Sequence, residues 1–206
     1  MKAPTGARLD LSAWSSSLSW SQTQDITVTP AGGDFNIGYG LFTLHIPANS
    51  VCDPRTAGYG DGTWDAPCTP ITSNITLHAT YGFYGHHIYA DFSPGLRFVP
   101  SSDATQWVTF GTRLYAPILT TFASYFAANP SSLKYLGVLY DPSVGQVVND
   151  VVDPTLLTHI QLNTGLIWRR VKHFSGYSVV TGLQCTPSPD DPNCIDTSGG
   201  TTITTQ

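Results

Sequence analysis

Among 206 residues there is no glutamate, and there are only three lysines. Asp, Glu, Lys and Arg together supply 11% of the chain, and all 14 acidic residues are aspartates. Glu and Lys are favoured on the solvent-facing sides of helices. A chain this poor in them is not built mainly of helices. No run of about 18 apolar residues occurs, so nothing spans a membrane as a helix. The net charge is −5, and apart from Arg169, Arg170 and Lys172 the basic residues are scattered. That leaves no basic field for nucleic acid or anionic lipid. Gly-x-Ser-x-Gly, a Gly-rich phosphate loop followed by Lys, and His-Glu-x-x-His are all missing. A carboxylate pair for glycoside hydrolysis could only be two aspartates. No cofactor is expected. Met1-Lys2-Ala3-Pro4 leads into polar residues rather than an apolar core, so no secretory signal is visible.

Thr, Ser, Gly, Pro, Tyr and Val are abundant instead, which points to β structure. Four cysteines form two local pairs. Cys52 and Cys68 flank a Gly/Pro/Asp-rich loop, and Cys185 and Cys194 flank a Pro-rich one. Neither spacing suits zinc. Two loop-closing disulfides, Cys52–Cys68 and Cys185–Cys194, are the simpler expectation. They would place the protein in a periplasm, on a cell surface or outside the cell. Asp53, Asp61 and Asp65 could gather a calcium ion, but their spacing is not that of an EF-hand. Asp in turns mostly accepts backbone N–H bonds, so no metal site is assigned.

Residues 1–25 read as an N-terminal arm carrying Trp14 and Trp20. It either lies against the domain or anchors a partner, since Trp is enriched at interface anchors. Residues 26–181 alternate as strands do. Phe42, Leu44 and Ile46 share one face, with Thr43 and His45 on the other. Ile75, Leu77, Ala79 and Tyr81 repeat the pattern, as do Ile88, Ala90 and Phe92. Between residues 115 and 128 the period becomes helical, with Ile118, Leu119, Phe122, Tyr125 and Phe126 on one side. This inserted segment, about 115–130, is uncharged. Its aromatic face is expected to dock on protein rather than lipid, because interfacial helices carry Lys or Arg. Leu166–Lys172 and Tyr177–Thr181 read as a closing strand pair around the turn His173-Phe174-Ser175-Gly176. Residues 182–206 form a C-terminal tail of low hydrophobicity, which would be ordered only against something else. About ten short strands with regular turn signals indicate an antiparallel, Ig-like β-sandwich.

Three pieces of this sandwich are similar to ZU5 domains. They are Leu41-Phe42-Thr43-Leu44-His45-Ile46-Pro47-Ala48, Asp91-Phe92-Ser93-Pro94, and Tyr140-Asp141 followed by the closing His173-Phe174-Ser175-x-Tyr177. The resemblance implies one of two kinds of work. Many such domains are scaffolds that bind other proteins. That leads to the expectation of a non-enzymatic, extracytoplasmic accessory subunit in a larger, membrane-associated assembly. Others cut their own backbone between Phe and Ser. Here that would make Ser175 the nucleophile, His173 the proton relay and the Phe174 carbonyl the target. A purely structural turn is preferred, so no catalytic set is assigned. A carbohydrate-binding module is a third option, raised by the 12% aromatic content.

Overall fold

The computed structural model describes residues 20–60, 62–84, 87–113, 137–140, 154–156, 158–161, 164–174, 176–180 and 201–203. Eleven strands are found there. They are β1 (Trp20–Val28), β2 (Gly33–Ile37), β3 (Phe42–Ile46), β4 (Ile75–Tyr84), β5 (His87–Ser93) and β6 (Thr109–Arg113). They continue as β7 (Gly137–Tyr140), β8 (Thr158–Gln161), β9 (Leu166–Arg170), β10 (Gly176–Val180) and β11 (Thr201–Ile203). The only helical pieces among the described residues are two single 3-10 turns, Ala104–Gln106 and Pro154–Leu156.

The strands form two sheets, in the orders β1-β4-β5-β10-β7 and β11-β8-β9-β6-β3-β2. All pairs are antiparallel except β11 with β8. The fold is an all-β sandwich, as the alternation implies. Its core takes every second residue of the inner faces. Val28, Leu77, Ala79, Ala90 and Phe92 come from one sheet, and Phe42, Leu44, Ile46, Phe110 and Ile167 from the other, all buried. The polar outer positions pair across strands. Asp25 meets His78 and Asp34 meets His45, each at 2.6 Å.

Several boundaries differ from the sequence expectation. The arm's last residues are already strand, since β1 starts at Trp20 and pairs through Asp25 with β4. The end of the tail is strand too, with Thr201–Ile203 lying beside Thr158–Ile160. Trp14, the segment carrying Ile118, Phe122, Tyr125 and Phe126, and the Cys185–Cys194 loop lie outside the described residues.

The closing pair is not a hairpin. β9 lies between β8 and β6 in the six-stranded sheet, and β10 lies between β5 and β7 in the other. Between Arg170 and Gly176 the chain therefore passes from one sheet to the other. Non-local bonds fix that crossing. Val171 N donates to Val108 O at 2.9 Å, Phe174 N donates to Leu96 O at 2.7 Å, and His173 bridges Arg97. Phe174 enters the core fully buried, stacked on Phe92 at 4.3 Å and edge-on to Phe98 at 4.7 Å. Burying a phenylalanine contributes about 1.5–3 kcal/mol.

Candidate functional site

The long loop after β3 is pinned by three devices. The Cys52–Cys68 disulfide closes it across 16 residues. Cys52 N donates to Arg97 O at 2.9 Å, and Asp53 N to Thr69 O at 2.8 Å. The buried Arg97 guanidinium donates to the carbonyls of Thr63 (2.6 Å) and Ala66. An irregular loop has no ladder to satisfy its carbonyls, and here one side chain from the sandwich does so. A disulfide fits an oxidising compartment.

So anchored, the loop places Tyr59 and Trp64 against the sheet crossing. Trp64, half-buried, stacks on the buried His173 ring with centroids 3.9 Å apart. Tyr59 packs edge-on to Trp64 at 4.9 Å, and its hydroxyl donates to the carbonyl oxygen of Phe174. From the other side, the Tyr177 hydroxyl donates to the carbonyl of His173 at 2.8 Å. Two consecutive carbonyls of the His-Phe-Ser turn thus each accept a phenolic hydrogen. Tyr177 is thereby brought against His173 at the crossing. Ser175 lies outside the described residues. Tyr59 was not picked out from the sequence. Its only local signal is a Gly on either side of Tyr59 in a loop, which says nothing of a partner 115 residues away.

Two aspartates of this loop, Asp53 and Asp65, serve cations of the chain itself, and Asp61 lies outside the described residues. Asp53 accepts from Arg55 Nε at 2.9 Å, Arg55 Nη2 at 2.6 Å and Arg55 N at 3.0 Å. Those bonds hold its carboxyl down at about 2. Asp65 accepts from Lys172 Nζ at 2.7 Å. Among the described residues no group of three His, Cys, Asp or Glu is placed to hold a metal ion.

Trp20 and the turn bearing Tyr39 both lie against Tyr81 at one corner of the sandwich. Trp20, 41% exposed at the start of edge strand β1, packs edge-on to the buried Tyr81 at 5.9 Å. The β2–β3 turn, Gly38-Tyr39-Gly40, comes up against the same ring. A Cβ at Gly38 would stand 2.7 Å from Tyr81, and all three turn residues have positive φ. Tyr39 is 99% exposed at φ 55°. A bulky residue held in that region is unusual, and such strain concentrates where function needs it.

On the outer face of the six-stranded sheet an open groove of about 330 Å³ is lined by Asn36, Thr43, His45, Gly111, Arg113 and Trp168, among others. Trp168 lies flat on His159, with centroids 4.2 Å apart and planes 13° from parallel. Burial pushes the His159 imidazole below its ordinary pKa. In β9 the aromatic points out while Arg169, 1% exposed, points in with its guanidinium 5.8 Å over the Tyr177 ring. Ile167 and Val171 share the inner face with Arg169 and alternate with Trp168.

No family model, curated protein or solved structure matches the chain.

Proposed function

We propose that this sandwich is a non-enzymatic interaction module of an exported protein, ZU5-like in its plan, that docks onto other protein subunits. The observation carrying this is the corner where Trp20 and the turn bearing Tyr39 converge on Tyr81. Exposed Trp and Tyr are costly to leave in water and are the commonest anchors of protein interfaces. The corner also includes the start of β1, a nine-residue edge strand with one charge, Asp25. Among the described strands only β4 pairs with it. An edge of that length is a template for strand addition. A membrane-associated assembly outside the cytoplasm suits the disulfide and the low charge. The test is a photo-cross-linking residue at position 39 of the full chain in its producing cell. A discrete adduct with a second protein, lost in Trp20→Ala, is expected. An uncross-linked chain, or adducts indifferent to Trp20, overturns the proposal.

A second reading is favoured by one bond, Tyr59 Oη to the Phe174 carbonyl oxygen. It makes the turn a self-cleavage site. Ser175 Oγ adds to the Phe174 carbonyl carbon, and Tyr59 supports the developing oxyanion. His173 relays the hydroxyl proton to the departing Ser175 nitrogen. The Phe174–Ser175 amide becomes an ester, and water then yields a Phe174 carboxylate and a free Ser175 amine. The intact mass of the denatured, non-reduced chain decides. Pieces of 174 and 32 residues, the two parts of 206, are expected. They should vanish in Ser175→Ala. A single full-length species sinks this reading and leaves the first untouched.

A further inference from the structure

One register row crosses the outer face of the six-stranded sheet, running Asn36, Thr43, Gly111, Trp168, His159. Side chains on such a row stand about 5 Å apart and touch their neighbours. At Gly111 the row has no side chain, and the gap cannot be closed by a small substitution. A Cβ there would stand 2.3 Å from Ile167 O and 2.7 Å from Trp168 Cβ. His159 backs one face of the Trp168 indole. Trp168, Gly111 and Thr43 together line the groove of about 330 Å³, with Gly111 buried at its floor. The sheet thus carries a slot one residue wide, with an aromatic wall that is held upright from behind.

We propose that the slot binds a pyranose unit of a neutral glycan. A sugar ring is apolar on its C–H faces and polar around its rim. The indole offers the flat apolar surface, and Asn36, Thr43 and Thr109 supply uncharged hydrogen-bonding groups beside it. The charges at one end of the groove are engaged with each other, His45 Nδ1 being 2.6 Å from Asp34. Among the described lining residues Arg113 is the one Arg or Lys, too little for a phosphorylated ligand, which collects several. A purely apolar ligand would strip water from the amide and hydroxyls without replacing it. The volume lies at the lower end of the range of small-ligand pockets, about 300–1,000 Å³, which suits one or two rings of a longer chain. This site is independent of the Trp20 corner and of the Phe174–Ser175 bond.

The test titrates the full-length protein with neutral trisaccharides of glucose, mannose, galactose and N-acetylglucosamine. The Trp168 indole N–H resonance reports on the slot. At least one trisaccharide is expected to bind with Kd below about 1 mM and to shift that resonance. Trp168→Ala should weaken binding by at least about tenfold. Thr43→Tyr, which fills the slot from β3 and leaves the indole in place, should do the same. Trp20→Ala should change nothing. If Trp168→Ala does not fold, Thr43→Tyr alone decides. No binding of any trisaccharide at about 10 mM overturns the proposal, and so does binding that survives Thr43→Tyr.

Discussion

Tyr59 donates its phenolic hydrogen to the backbone carbonyl of Phe174, joining the disulfide loop to the sheet crossing over 115 residues of sequence. Tyr59→Phe keeps the ring against Trp64 and removes only this donor. It should cost about 1 kcal/mol in urea denaturation, the usual net value of one hydrogen bond. If the parent chain cuts itself, the same variant should slow the cut on the order of 10²-fold, as loss of an oxyanion donor does. An unchanged denaturation midpoint would show that the bond carries nothing.

Arg97 should be among the costlier side chains to remove. Its guanidinium serves the carbonyls of Thr63 and Ala66 from a buried position. Arg97→Met leaves both acceptors without that donor, for about 2–4 kcal/mol. Arg97→Lys restores one charged donor and should fall between. Amide exchange of Thr63 and Ala66, whose N–H groups bond within the loop, should quicken in the order Arg, Lys, Met.

The Cys52–Cys68 bridge should stabilise the fold by about 3 kcal/mol, the chain-entropy value for a loop of its size. Urea curves with and without reductant, in a variant with Cys185 and Cys194 replaced by Ser, isolate this bridge. Coincident curves would mean that Arg97 and the backbone bonds of Cys52 and Asp53 hold the loop alone.

Two groups make stability fall on acidification, in two separate windows. The folded pKa of Asp53, about 2, lies below its unfolded value of 3.8. Its charged form is favoured by the fold, so its contribution is full above about pH 4. That contribution drains away as pH falls towards 2. Carboxyl NMR should show the low midpoint, and Arg55→Ala should move it up. His159 is pushed below its ordinary 6.5 by burial. The unfolded chain then binds more protons, so stability is full above about pH 6.5 and declines on acidification. Trp168 fluorescence should change over the same interval as the stacked ring charges.

The alternation of Phe42, Leu44 and Ile46, and of Leu77, Ala79 and Tyr81, was legible because one face is buried and period two follows directly. The Cys52–Cys68 pairing was legible from spacing. The closing hairpin was not. Ser175 and Gly176 are sound turn residues, but hairpin and sheet crossing use the same ones. The choice is made by Leu96, Arg97 and Val108, far away in the chain. In β9 the alternation of Ile167, Arg169 and Val171 puts Arg169 inside and Trp168 outside, although an aromatic is more often the buried residue of the two. Tyr39 sits between two glycines, a pattern that signals the turn and hides the exposed ring.

The split of β9 and β10 between sheets also sets the order in which this chain is able to fold. β10 fills the gap between β5 and β7, and β9 fills the gap between β6 and β8. Before residue 166 is made, each sheet lacks an interior strand. Pairings this distant form slowly, in milliseconds to seconds. A chain ending at residue 165 should stay unprotected in hydrogen exchange. Until β9 and β10 have been made the polypeptide should stay a thread, and a thread is the form in which a protein passes through a narrow pore.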